Sequence, residues 1–145
     1  METSESVSLE DLFGEPIHVH TRAELIEDGD LIEASPRLVR EAGILFPVCY
    51  SRRAYTGAIE WTEVDERRRP GYGQSTAGRE WDVLYIAALA MRCSKRRNDG
   101  ASTVPFQVYA VSAEAGKAVP HRLYVHVGPG DDAEPVLTIL CEGED

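Results

Sequence analysis

The sequence predicts an α+β protein with helices and short strands first and a run of strands last. Two observations lead to this class. From about residue 77 to residue 97, apolar side chains recur at three- and four-residue steps, which is the period of a helix. These positions include Trp81, Leu84, Ala88 and Met91. After Gly100 the period changes to two, which is typical of strands. Helices that precede strands, and do not alternate with them, favour the α+β class.

The segment from about residue 77 to residue 97 is apolar around most of its circumference, so we expect one central helix there. The strands that follow should form a three-stranded antiparallel meander, because short loops join them. They span residues 104–111, 123–127 and 136–140. We expect the apolar face of this meander to pack against the central helix.

Two N-terminal helices have clear start and stop signals. Thr21 and Glu24 have the spacing of a capping box, and Gly29 supplies the stop. Ser35 precedes a proline, which is typical of an N-cap followed by the first helical position, and Gly43 ends that helix. Short strands are predicted before and between these helices, at residues 17–20 and 31–32.

The remaining N-terminal segments are marked less clearly. Residues 1–8 are polar and predict a flexible tail, and residues 9–145 are expected to form a single α+β domain. Ser51 is expected to cap a helix that runs to about Trp61. Residues 62–76 are polar and contain a Pro-Gly pair, which predicts a mobile surface loop.

Charge is sorted along the chain. Residues 1–33 hold ten acidic residues and one basic residue, and residues 128–145 hold six acidic residues and no basic one. Residues 34–127 hold fourteen basic and nine acidic residues, and the net charge is −10. An acidic field repels nucleic acid and attracts basic surfaces. It predicts a basic partner protein, such as one that handles nucleic acid. The alternative is that acidity only keeps the protein in solution.

The predicted partner-binding residues lie in the two acidic segments, with one aromatic candidate in the polar loop. They are Glu24, Glu27, Asp28, Asp30, Glu33, Tyr72, Asp131, Asp132 and Glu134. Exposed aromatic side chains often anchor interfaces, although Tyr72 could equally fold back onto the core. If the binding hypothesis is right, Asp131→Ala on an exposed loop should hardly change stability, yet it should weaken association with the partner.

A metal-dependent hydrolase is the alternative function. On a strand, His18 and His20 would point to the same face, and Asp131 or Asp132 could complete a ligand set. This hypothesis requires the N-terminal strand to lie beside the meander. The competing interpretation of residues 128–132, Gly-Pro-Gly-Asp-Asp, is a hairpin connection rich in turn residues. The sequence contains no phosphate-binding or dinucleotide-binding glycine motif, so we predict no cofactor.

Direct nucleic-acid binding is a third hypothesis. It would use two basic clusters, residues 67–69 and 95–97, and it requires both on one face. Each cluster has only three residues and is flanked by acids or by a helix end. Solvated surface is therefore the favoured interpretation, and we do not expect direct binding to nucleic acid.

The cysteines and the hydropathy pattern indicate the cell compartment in which the protein is located. The three cysteines are far apart and form no CxxC pair, so buried free thiols are expected. No apolar run approaches the ~20 residues that cross a bilayer. The acidic N-terminus is unlike a signal peptide. We therefore expect a location in the cytoplasm of the host cell and no contact with a membrane.

Three groups of short motifs carry a family resemblance. The first group runs from Asp11-Leu-Phe-Gly14 through Ile17-His18 and Thr21-Arg22-Ala23 to Gly29. The second holds Arg40-Glu-Ala-Gly43, Phe46-Pro47 and Trp61-Thr62. The third holds Trp81-Asp82-Val83-Leu84, Pro105-Phe106, Gly128-Pro-Gly-Asp-Asp132 and Glu134-Pro135. Together they resemble an uncharacterised family of small acidic proteins carried on bacterial plasmids and phages.

The resemblance implies a mobile-element context and no particular activity. By association, small acidic proteins of such elements are often inhibitors of host defence, of the anti-CRISPR or antirestriction type. The leading hypothesis is therefore a non-enzymatic binding protein that docks on a basic, nucleic-acid-handling host protein and blocks it.

Overall fold

The computed structural model describes residues 20–97 and 102–144. The helices in these ranges are α1 (Arg22–Asp28), α2 (Pro36–Glu41), α3 (Arg52–Ala54, continued by the π-helical turn Tyr55–Ile59), α4 (Glu63–Arg68) and α5 (Thr76–Arg97). The strands are β1 (Leu31–Glu33), β2 (Val48–Ser51), β3 (Thr103–Ser112), β4 (Lys117–Pro129) and β5 (Pro135–Cys141). The predicted α+β class is confirmed. The predicted tail at 1–8 and strand at 17–20 lie outside the described residues.

The five strands form one sheet in the order β1-β2-β5-β4-β3. β3, β4 and β5 pair antiparallel in sequence order, so the predicted meander is confirmed. β2 pairs with β5 in parallel, with Val48 beside Leu137 and Tyr50 beside Ile139, and β1 pairs antiparallel with β2. The N-terminal half therefore extends the sheet of the C-terminal half. β1 and β3 are the two edges.

The predicted central helix is confirmed as α5, which packs against one face of the sheet. Leu84 of α5 is fully buried and belongs to one core cluster with Val108, Val125 and Ile139 from three strands. Trp81, in the first turns of α5, is only partly buried against this cluster. Within residues 20–97 and 102–144, none of the helices combines the length and the apolar content required to cross a bilayer.

The helix starts follow the predicted capping residues. The Thr21 hydroxyl accepts from the Glu24 N–H at 3.0 Å, and the Glu24 carboxylate accepts from the Thr21 N–H at 2.8 Å, which completes a capping box. Gly29 adopts a left-handed conformation at the end of α1, which favours glycine. Ser35 and Ser51 cap α2 and α3 as expected.

The predicted mobile loop at residues 62–76 is wrong for its first half, which forms α4. Thr62 and Asp65 make a second capping box, a signal of the same kind as the one at Thr21. Beyond α4, Arg69 donates to the Ala113 carbonyl at 2.8 Å. This bond fastens the end of α4 to the turn between β3 and β4.

All three cysteines are free thiols. Cys49 is buried and Cys141 is partly buried, and burial raises the pKa of both thiols. Cys93 is exposed on α5, so the prediction of buried thiols is wrong there. The helix is apolar enough around its circumference that the sequence did not mark which side faces solvent.

A buried carboxylate connects α5 to the N-terminal half. Glu80 of α5 is only 8% exposed. It accepts from the Ser35 N–H at 2.8 Å and from the Tyr50 hydroxyl at 2.9 Å. Desolvation first, and then the charge of Glu80, raise the pKa of Tyr50. The phenol therefore remains a hydrogen-bond donor to the carboxylate.

Leu84→Ala should lower the free energy of unfolding by about 2–5 kcal/mol, because it leaves a cavity beneath the sheet. The net stability of such a domain is only about 5–15 kcal/mol. The matched control is Leu45→Ala, the same chemical change at a side chain that is 90% exposed. It should change stability by less than about 0.5 kcal/mol. Urea unfolding of both variants measures the difference, and equal losses would contradict the assignment of Leu84 to the core.

Tyr50→Phe tests the buried hydrogen bond through its pH dependence. The folded protein keeps the Tyr50 proton above about pH 10, where an unfolded tyrosine ionises. The stability that comes from this raised pKa is complete below about pH 10 and is lost as the pH rises further. The parent should therefore lose stability more steeply above pH 10 than Tyr50→Phe does. Near pH 8 the variant should be less stable by about 0.5–1.5 kcal/mol. Urea unfolding at several pH values measures both effects: identical slopes would contradict the burial of the phenol, and equal stability near pH 8 would contradict the hydrogen bond.

Candidate functional site

The two acidic segments of the sequence meet in the fold. Asp131 lies in the loop between β4 and β5, and its carboxylate accepts from the Arg22 N–H at 2.8 Å and from the Ala23 N–H at 3.1 Å. These N–H groups belong to the first turn of α1, where backbone donors have no acceptor within the helix. The loop of residues 130–134 is thereby fixed to the start of an acidic helix. We call α1, the turn after it, β1 and this loop the acidic surface.

Eight of the nine predicted partner-binding residues lie on the acidic surface. They are Glu24, Glu27, Asp28, Asp30, Glu33, Asp131, Asp132 and Glu134, and all of them are exposed. Glu24 is held by the capping box, whose hydrogen bonds hold its pKa below the ordinary value. Glu134 accepts from the Asp132 N–H at 3.0 Å. The five remaining carboxylates of the acidic surface make no hydrogen bond or ion pair with any described residue; they are Glu27, Asp28, Asp30, Glu33 and Asp132.

Tyr72 is not part of the acidic surface. Its side chain is 42% exposed, and its hydroxyl donates to the Gly116 carbonyl at 3.2 Å, in the turn where β4 begins. Asp131 follows the other end of β4. A strand of this length spans about 40 Å. A single partner that used Tyr72 and Asp131 together would have to cover the length of the sheet.

A cavity of about 640 Å³ lies beside the acidic surface. Val125 and Ile139 point toward α5, so alternate residues of the same strands face the opposite side of the sheet and line this cavity. Strands β4 and β5 contribute Tyr124, His126, Thr138 and Leu140, and α1 and β1 contribute Arg22, Leu25 and Leu31. His20, Thr103, Pro129, Asp131 and Glu144 are also among its lining residues.

Arg22 is the functional candidate that the sequence did not reveal. Its guanidinium is partly buried against the sheet, where it donates to the Thr138 hydroxyl at 2.8 Å and to the Leu137 carbonyl at 2.7 Å. Both acceptors are neutral. No carboxylate of the described residues lies within ion-pair distance of it. The signal that could have identified Arg22 is that it is the single base among ten acids in residues 1–33.

The structure shows only part of the geometry that the metal-site hypothesis requires. His20 and Asp131 line the same cavity, but both Asp131 oxygens accept from backbone N–H groups. His18 lies outside the described residues. Within the part of the chain that the structure describes, no group of three histidine, cysteine or acidic side chains is arranged to hold a metal ion. The metal-dependent hydrolase stays a prediction from the sequence.

The two basic clusters lie at opposite ends of α5. Residues 67–69 end the helix before it, and Lys95 lies in its last turns. A helix of this length spans about 30 Å. Arg69 is also occupied, because it donates to the carbonyls of Ala113 and Glu114. The clusters therefore do not form one compact basic patch.

The fold and the site define an α+β protein with a mixed five-stranded sheet and an acidic surface beside a cavity. Comparison of the chain with family models, with curated protein sequences and with solved structures finds no match. The resemblance to plasmid- and phage-borne proteins stays a prediction from short motifs.

Asp131→Ala should destabilise the protein, which corrects the expectation from the sequence. The variant loses the two acceptors that satisfy the start of α1, and loss of a comparable cap costs about 0.5–2 kcal/mol. Asp132→Ala is the matched control, because no hydrogen bond to its carboxylate occurs among the described residues. It should change stability by less than about 0.5 kcal/mol. Urea unfolding compares the two, and equal stabilities would show that Asp131 does not hold the loop to α1.

Proposed function

We propose that this protein is a non-enzymatic binding protein whose acidic surface docks on a basic surface of a partner protein. The observation that supports this most strongly is the pair of hydrogen bonds from the start of α1 to Asp131. They hold together two acidic segments that lie more than 100 residues apart. Acidity that served solubility alone would not require the segments to adjoin.

The electrostatics of the acidic surface favour a cationic partner. Like charges held close together repel one another, and the described residues around Glu27, Asp28 and Asp30 supply no ion-pair partner. Arginine or lysine side chains of a partner would relieve that repulsion. Attraction of this kind speeds association and weakens as salt screens it beyond about 10 Å.

The proposed partner class is a protein built to hold DNA or RNA, because such proteins present dense arrays of arginine and lysine to phosphates. An acidic protein that covers this array would block it. The motif resemblance supports a mobile-element origin, and with it an inhibitor of a host defence system of the anti-CRISPR or antirestriction type. The partner then belongs to the bacterial host.

The test neutralises four carboxylates of the acidic surface that lack hydrogen bonds: Glu27→Gln, Asp28→Asn, Asp30→Asn and Asp132→Asn. Exposed charge pairs contribute about 0.2–1 kcal/mol each, so loss of four of them should lower affinity for the partner by about fourfold to several hundredfold. Capture from a nuclease-treated bacterial lysate, at about 50 mM and about 300 mM salt, measures partner retention. Survival of defence-sensitive phage measures inhibition.

A matched control neutralises four exposed acids elsewhere: Glu63→Gln, Asp82→Asn, Glu114→Gln and Glu142→Gln. It changes the net charge by the same amount and should keep the partner. If both variants lose the partner equally, net charge and not the acidic surface drives association. A partner whose retention ignores salt, or no partner at low salt, would overturn the proposal.

A further inference from the structure

We propose that the cavity beside the acidic surface binds a small carboxylic acid with an apolar or aromatic body, and that Arg22 holds the carboxylate. This site goes beyond the proposed docking function and does not depend on it. Its volume of about 640 Å³ lies within the range of about 300–1,000 Å³ typical of small-molecule sites.

The charge of Arg22 is the first argument. A cation withdrawn from water is normally paired, because desolvation of an unpaired charge is costly. Arg22 is partly buried, yet the groups around its guanidinium are neutral: the Thr138 hydroxyl and the Leu137 carbonyl accept from it, and the Cys49 thiol interacts with it. Two of its five N–H donors serve these bonds. An anion in the cavity would supply the missing charge and accept from the remaining donors.

The geometry of the donors favours a carboxylate. The planar guanidinium fork matches the two oxygens of a carboxylate. Thr138 accepts from Arg22 through its oxygen, so its own hydroxyl proton is available to donate to a ligand. Arg22 and Thr138 together place donors at the boundary between α1 and the sheet.

The apolar part of the lining suits a hydrocarbon body. Leu25 and Leu31 form one side of the cavity, and Leu140 and Pro129 contribute from the strands, with the ring of Tyr124 beside them. An aromatic or branched aliphatic group would remove this surface from water while its carboxylate meets Arg22. An anion without an apolar body would gain only the polar contacts with Arg22 and Thr138.

The two carboxylates in the lining oppose a second negative charge on the ligand. Asp131 accepts from backbone N–H groups of α1. Glu144 accepts from the Ser51 hydroxyl and from the Cys141 N–H, each at 2.7 Å. Both are held by the fold, and their charges add a negative potential around the site. A dianionic phosphate ester should therefore bind more weakly than a carboxylate of the same shape.

The experiment titrates the purified full chain with phenylacetate in a calorimeter, without any partner protein. Phenylacetamide is the neutral isostere, acetate lacks the ring, and phenyl phosphate carries the second charge. Phenylacetate should bind at least tenfold more tightly than each of the other three compounds. If phenylacetamide binds equally well, Arg22 does not act as the anion site. If phenyl phosphate binds more tightly, the carboxylate assignment is wrong. No heat of binding with phenylacetate up to about 10 mM overturns the proposal.

Two variants test the residues. Arg22→Gln keeps a donor for Thr138 but removes the charge, and it should lower phenylacetate affinity by roughly tenfold to hundredfold. Leu140→Trp fills the cavity and leaves Arg22 unchanged, so it should abolish binding even if Arg22→Gln unfolds. Val127→Trp is the control, because Val127 lines a separate groove of about 280 Å³ with Leu137, Ala88 and Met91. Binding that survives Leu140→Trp would place the ligand elsewhere.

The four-site variant of the acidic surface separates the two proposals. It should lose the partner protein and still bind phenylacetate, because none of its four residues lines the cavity. Loss of phenylacetate binding in that variant would contradict the independence of the two sites.

Discussion

The parallel pairing of β2 with β5 is the interaction on which the rest of the structure depends. It attaches the N-terminal half to the meander through three residue pairs, and β1 reaches the sheet only through β2. The same pairing places Tyr50 beside Ile139, beneath α5, where its hydroxyl donates to Glu80. On the opposite face it provides the surface on which α1 lies. A short parallel ladder thus fixes both the core and the site.

Local features of this fold could be predicted because their causes are local. The capping box at Thr21 and Glu24 and the apolar period of α5 each arise from residues a few positions apart. The pairing of β2 with β5 could not be predicted in the same way. All four residues of β2 are buried, so no alternation marks the strand, and Pro47 stands directly before it. Its partner lies almost 90 residues later in the chain.

The candidate site shows the same division. The sequence identified the acidic residues, because the charge of a side chain follows directly from its residue type. Their meeting point depends on Asp131, whose carboxylate accepts from the start of α1, and turn-forming residues at 128–132 indicate only a connection. The importance of Arg22 could not be inferred from the sequence, because it comes from burial against Thr138. Whether a lone charge is solvated or enclosed is a tertiary property, and short motifs do not contain it.

The position of β3 at the edge of the sheet has a consequence for behaviour at high concentration. A ten-residue edge strand offers backbone groups on which another chain can add a strand and begin aggregation. β3 limits this tendency at two points. Pro105 has no N–H to donate, and the Val111 carbonyl accepts from Arg79 at 2.9 Å. The opposite edge, β1, is only three residues long. The sheet that carries the acidic surface is therefore protected at both edge strands against the addition of a strand from another chain.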